Sequence, residues 1–135
     1  MTPNQKAACD ALRFAFDMTS ISYERLLSAL QPISIAAETK GTGPMTELIT
    51  LAMLDAWAVV DNVWRIHQIL RSFPGMKQTP GIEPNLRAIA KVENLRHGIQ
   101  HVAGEFGIAA EKGRPILGSL SWFWAPTVPK DGYLE

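Results

Sequence analysis

Residues 48–70 read LITLAMLDAWAVVDNVWRIHQIL, and their apolar side chains nearly encircle a helix. A helix that is apolar on most sides lies in the centre of a bundle, or faces both a core and a partner subunit. The sequence therefore predicts a central helix from about Pro44 to Ser72, ended by the proline–glycine turn at 73–75. The same pattern favours a homodimer.

A first helix is predicted from about Pro3 to Leu30. Thr2 and Gln5 form a capping-box pattern at its start, because each side chain can bond the other residue's backbone N–H. Gln31-Pro32 should end it, since the residue before a proline avoids the α region. Residues 33–43 then read as a linker that ends in glycines.

A third helix is predicted from near Pro84 to about Phe106, because its apolar residues step by three or four. Residues 116–124 are short, aromatic and bounded by prolines, so they are typical of a strand. The expected fold is mainly all-α. It is an antiparallel bundle of long amphipathic helices over residues 1–110, with a short β-hairpin-like extension over 111–135 that packs on the bundle or on a partner.

The composition describes an ordinary globular domain of 135 residues, with 47% hydrophobic and 19% charged side chains. The formal net charge is zero, which excludes a globally basic nucleic-acid-binding protein. Residues 1–64 carry four basic and seven acidic side chains, whereas residues 65–135 carry nine and six. An anionic ligand is therefore expected on the second half, although scattered surface charge explains the same asymmetry.

Cys9 is the single cysteine, so a disulfide scaffold is excluded. It falls in the apolar pattern of the first helix, which predicts a buried, inert thiol. The N-terminus shows no signal peptide, and the most apolar stretch is too short and too charged to span a membrane. We therefore expect a cytoplasmic protein.

The third helix presents a guanidinium, two imidazoles and two amides within one and a half turns: Asn94, Arg96, His97, Gln100 and His101. This set suits RNA cleavage. Arg96 can hold the scissile phosphate, His101 can act as general acid or base, and His97 can orient substrate or share the proton transfer. Gln100 and Asn94 are candidate assistants. RNA supplies its own nucleophile, the 2′-hydroxyl, so this chemistry needs no metal or cofactor.

The segment Arg96-His97-Gly98-Ile99-Gln100-His101 resembles the R-x4-6-H signature of the HEPN superfamily of helical nucleotide-binding domains. In that family a polar residue, commonly Asn, Asp or His, follows the arginine, and His97 fits. The resemblance implies catalytic roles for Arg96, His97 and His101. It also implies an assisting acidic residue on an earlier helix, for which Asp61 is the candidate.

The resemblance further implies a metal-independent endoribonuclease, or an RNA- or nucleotide-binding protein, of a toxin–antitoxin or defence system. Its partners would be a second copy of the chain, RNA or a nucleotide, and an antitoxin-like protein. The alternative is a non-catalytic helical dimerisation or protein-interaction module. In that case Arg96 pairs with Glu93, and His97 and His101 are ordinary solvated residues.

Overall fold

The computed structural model describes residues 1–39, 45–73, 75–76, 79–100, 111–113 and 119–122, with the backbone alone for 39 and 98–100. Within these ranges the chain forms four α-helices: α1 (Pro3–Thr39), α2 (Met45–Ser72), α3 (Ile82–Ala90) and α4 (Val92–Gln100). No strand occurs in the same ranges, so the described chain is all-α. None of these helices combines the length and the apolar character that crossing a bilayer requires.

The helices α1 and α2 form an antiparallel hairpin, because early residues of α1 meet late residues of α2. Ala15 and Trp64 line one groove, and Arg25 Nη2 lies 3.3 Å from Asp55 Oδ1 nearer the middle. Beyond this pair lies a buried apolar cluster formed by Leu26, Leu30, Ile33 and Ala52. The central helix predicted from residues 48–70 agrees with α2.

The helices α3 and α4 return along α2 in the opposite direction. Leu86 of α3 lines a cavity together with His67, and Arg96 of α4 contacts Asp61, nearer the start of α2. The hairpin and this returning arm form the bundle, and they place the start of the R-x4-6-H segment against the middle of α2.

The start of α1 is confirmed, and its predicted end is wrong. Thr2 N donates to Gln5 Oε1 at 2.8 Å and Gln5 N donates to Thr2 Oγ1 at 3.2 Å, which is the expected capping box. The helix nevertheless continues through Pro32 to Thr39, so the first part of the predicted linker is helical. Ile33 is buried against α2, and this packing offsets the cost of proline in a helix interior.

The predicted third helix is two helices. Lys91 forms a turn between α3 and α4, and its N–H donates to Ala88 O, three residues back, at 3.4 Å. Such a bond tightens the last turn of a helix, which separates the two segments. Residues 101–106 of the predicted helix lie outside the described residues.

The predicted β-like extension is not supported. Residues 119–122, the described part of the aromatic segment, have no regular secondary structure. Leu120 instead packs against the buried cluster, and Trp122 Nε1 donates to Ser34 Oγ at 2.8 Å. Contacts with α1 and α2 thus replace strand pairing there, and the other residues of the predicted strand and its turn lie outside the described residues.

Cys9 is exposed, so the expectation of a buried thiol is wrong. The residues of α1 that α2 covers follow one stripe through Ala15, Ser22 and Leu26. At about 100 degrees per residue, Cys9 lies roughly a third of a turn from that stripe.

Candidate functional site

A single carboxylate holds two guanidinium groups beside the R-x4-6-H segment. Asp61 Oδ1 accepts a hydrogen bond from Arg96 Nε at 3.0 Å, and Asp61 Oδ2 accepts one from Arg65 Nη2 at 2.9 Å. Asp61 and Arg65 are four residues apart on α2 and therefore share a face, whereas Arg96 arrives from α4. With two cations on one anion, the group carries one net positive charge.

The Asp61 side chain stays 41% exposed and the Arg96 side chain 28% exposed. The cluster therefore lies at the surface, where a dissolved ligand can reach it. Because each carboxylate oxygen takes one donor, Asp61 fixes the orientation of both guanidinium groups.

His97 lies beside Arg96 on α4 with its side chain 56% exposed. Its Nε2 is 4.0 Å from Glu93 Oε1, an ion pair only when the imidazole is protonated. Asn94 is exposed on the same helix. The structure thus brings Asp61 to Arg96, and His97 points to the solvent-exposed side of α4.

Two of the predicted residues are not part of this geometry. The backbone of Gln100 belongs to α4, but its side chain is outside the described part of the chain. His101 also lies outside the described residues, so its distance from Arg96 stays a prediction.

An apolar groove adjoins the two arginines. It has a volume of about 490 Å³ and lies between α1 and α2, with Arg65 and Arg96 among its walls. Phe14, Met18 and Trp64 supply large apolar side chains to it. Phe14 is 56% exposed, and the guanidinium carbon of Arg13 lies 4.6 Å from its ring centroid.

Sequence reasoning missed Arg65, Phe14 and Trp64 as site residues. The four-residue spacing of Asp61 and Arg65 is a signal for an ion pair on one helix, and it could have identified Arg65. Phe14 and Trp64 carry no such local signal, because they meet only when α1 and α2 pair.

Within the described residues, no group of three His, Cys, Asp or Glu side chains converges as a metal site requires. Comparison with known protein families, with curated proteins and with solved structures finds no match to this chain.

Proposed function

We propose that this protein is a HEPN-like, metal-independent endoribonuclease whose catalytic residues are Arg96, His97 and His101. The observation that carries the proposal is the contact between Asp61 and Arg96. An acidic residue of an earlier helix, the kind of assistant that the R-x4-6-H resemblance implies, holds the motif arginine at 3.0 Å.

The charge of the cluster supports an anionic ligand. Arg65 and Arg96 exceed Asp61 by one positive charge, and both side chains border the groove. A guanidinium is a planar fork of donors that matches the oxygens of a phosphate. Asp61 acts here as a positioning residue, because it orients Arg96 without contacting the reacting atoms.

The groove supports a nucleic-acid ligand over a simple anion. Phe14 and Trp64 place aromatic side chains within reach of the two arginines. Aromatic faces stack on unpaired bases of any sequence, and single-stranded RNA is recognised largely in this way. A base in the groove would leave its phosphate beside Arg65 and Arg96.

In the proposed reaction the RNA 2′-hydroxyl attacks the adjacent phosphorus, and the bond from phosphorus to the 5′-oxygen breaks. His101 takes the proton from the 2′-hydroxyl or gives one to the departing 5′-oxygen, and His97 orients the strand or shares this proton transfer. Arg96 stabilises the negative charge that develops on the phosphate oxygens. The products are a 2′,3′-cyclic phosphate and a 5′-hydroxyl, and the reaction requires no metal ion.

The test is cleavage of single-stranded RNA of mixed sequence by the purified protein in the presence of a chelator. We expect His101→Ala to lower the rate by about 100-fold or more, since general acid–base catalysis contributes that much. Arg96→Ala should lower the cleavage rate by a similar factor. Asp61→Asn should lower the rate less, because Arg96 keeps its charge and loses only its ion pair with Asp61.

Lys91→Ala is the matched control, because it removes an exposed cation from the turn just before α4. It should cleave at the wild-type rate, and all variants should keep the helical circular dichroism of the wild type. The proposal is wrong if wild-type protein leaves varied RNAs intact, or if His101→Ala cleaves them as fast as wild type does.

A second candidate function is a non-catalytic helical interaction module, and the surface of α1 favours it. At about 100 degrees per residue, apolar side chains lie on both sides of the stripe that α2 covers. On one side lies a set that we call the Tyr23 flank: Phe16, Tyr23 and Leu27. Each of its three side chains is about half exposed, at 53%, 52% and 49%. Exposed apolar side chains that share one side of a helix favour protein–protein contacts.

A further inference from the structure

A second cavity lies between the last third of α2 and α3. It has a volume of about 290 Å³, and its walls are His67, Arg71, Glu83, Leu86, Arg87 and Ala90. It is distinct from the Asp61 cluster, because His67 follows Asp61 by six residues, about 9 Å along α2. The volume is at the small end of the range for small-molecule sites.

The wall of this cavity contains a buried polar group for which the described part of the chain provides no hydrogen-bond partner. His67 is 2% exposed, and its Nδ1 has no hydrogen-bond partner within the described parts of the chain. One face of its ring is occupied, since the Trp64 ring lies 5.0 Å away between centroids. Buried polar atoms nearly always have a partner, so an orphaned one beside a cavity points to a ligand or ordered water.

Two cations from different helices share the cavity with His67. Arg71 lies four residues after His67 on the same face of α2, and Arg87 comes from α3. Neither guanidinium is in an ion pair with any residue that the structure describes. Glu83 is the acidic residue among the described walls.

We propose that this cavity binds a compact phosphate monoester, with Arg71 and Arg87 on the phosphate oxygens. Two guanidinium groups from separate helices can each give two parallel hydrogen bonds to a tetrahedral oxyanion. The Nδ1 of His67 gives a further hydrogen bond to the phosphate. Leu86 and Ala90 supply apolar surface for the organic part of the ligand. The proposal does not depend on RNA cleavage at Arg96.

Titration of the full chain with inorganic phosphate and with ribose 5-phosphate tests the proposal, followed through the NMR resonances of the His67 ring and the arginine side chains. Ribose 5-phosphate should bind more tightly than inorganic phosphate, because only the ester has an organic part. Arg71→Gln and Arg87→Gln should each weaken binding about tenfold, equivalent to about 1.4 kcal/mol. Glu83→Gln should strengthen binding, because it removes the opposing charge.

Lys91→Gln is the matched control, since it removes a neighbouring exposed cation that does not line the cavity, and its affinity should equal that of wild type. A short RNA with a 5′-phosphate, compared with its 5′-hydroxyl form, identifies the source. A preference for the phosphorylated RNA over ribose 5-phosphate assigns the site to an RNA end, and equal affinity assigns it to a free metabolite. The proposal is overturned if inorganic phosphate does not shift the His67 resonances. It is also overturned if the Arg87→Gln and Lys91→Gln variants bind with equal affinity.

Discussion

The buried imidazole of His67 makes the stability of the fold depend on pH. Burial lowers its pKa below 6.5, the positive charge of Arg71 lowers it further, and Glu93 acts in the opposite direction. Arg87 and Glu83 are the other charged groups on its cavity. Because the unfolded chain takes up this proton at a higher pH than the folded chain, acid favours unfolding.

We therefore expect the free energy of unfolding to decrease as the pH falls below 6.5 and to level off, for this group, below the folded pKa. Urea unfolding at a series of pH values measures it, and His67→Gln should remove this part of the slope. His97→Gln is the control, because His97 is exposed. Should His67→Gln fail to fold, NMR titration of the wild-type ring replaces it, and a His67 pKa at or above 6.5 contradicts the expectation.

The Asp61 cluster illustrates what single residues reveal in a sequence. The spacing of Asp61 and Arg65 is local, so a helix fixes their contact before any tertiary structure exists. The contact of Asp61 with Arg96 spans 35 residues and depends on how α4 packs against α2. The R-x4-6-H resemblance named both residues as candidates, but no pattern of spacing could supply their distance.

At the scale of elements, α1 shows how periodicity predicts a helix without predicting its buried side. Cys9 and Phe16 follow the apolar spacing, yet both are exposed. Apolar residues cover well over half of the circumference of α1, so several directions satisfy the pattern. Pairing with α2 selects the stripe through Ala15 and Leu26.

Proline inside α1 gives a prediction about the stability of that helix. Pro32 lacks the N–H that would bond the Ser28 carbonyl, and the helix continues because Ile33 and Ser34 are buried beyond it. Pro32→Ala should restore that bond and raise the free energy of unfolding by about 1 to 3 kcal/mol. Part of this gain is lost, because the unfolded chain has more conformational entropy with alanine than with proline. Urea unfolding monitored by circular dichroism measures the change.

Gln31→Ala is the control for this variant, because it changes an exposed neighbour and should alter stability by about 0.5 kcal/mol or less. Destabilisation by Pro32→Ala would contradict the prediction, because it would mean that the packing of residues 33 and 34 requires proline at this position.

At the scale of the whole molecule, the described chain covers little of its apolar surface. The buried apolar residues are few, and none of the large side chains in the described ranges is fully buried. Asp17 and Glu24 lie on the polar side of α1, opposite the stripe that meets α2, whereas the Tyr23 flank is apolar and exposed. This distribution is typical of a subunit surface.

We accordingly predict that a second copy of the chain covers the Tyr23 flank. Leu27→Glu places a charge on that surface, so it should convert the dimer to a monomer with unchanged helical circular dichroism. Light scattering and sedimentation velocity over a range of concentrations measure the mass. Ser28→Glu is the control, because it adds the same charge about 100 degrees away around α1 and should leave the dimer intact.

The same pair of variants separates the two functional candidates. A nuclease that is active only as the dimer formed through this flank should lose RNA cleavage together with dimerisation in Leu27→Glu, while Ser28→Glu keeps both. An interaction module would lose assembly in the first variant and cleave no RNA in either. A wild-type chain that stays monomeric at all concentrations, or a Leu27→Glu variant that dimerises as well as Ser28→Glu does, would show that another surface, or no surface, carries the self-association.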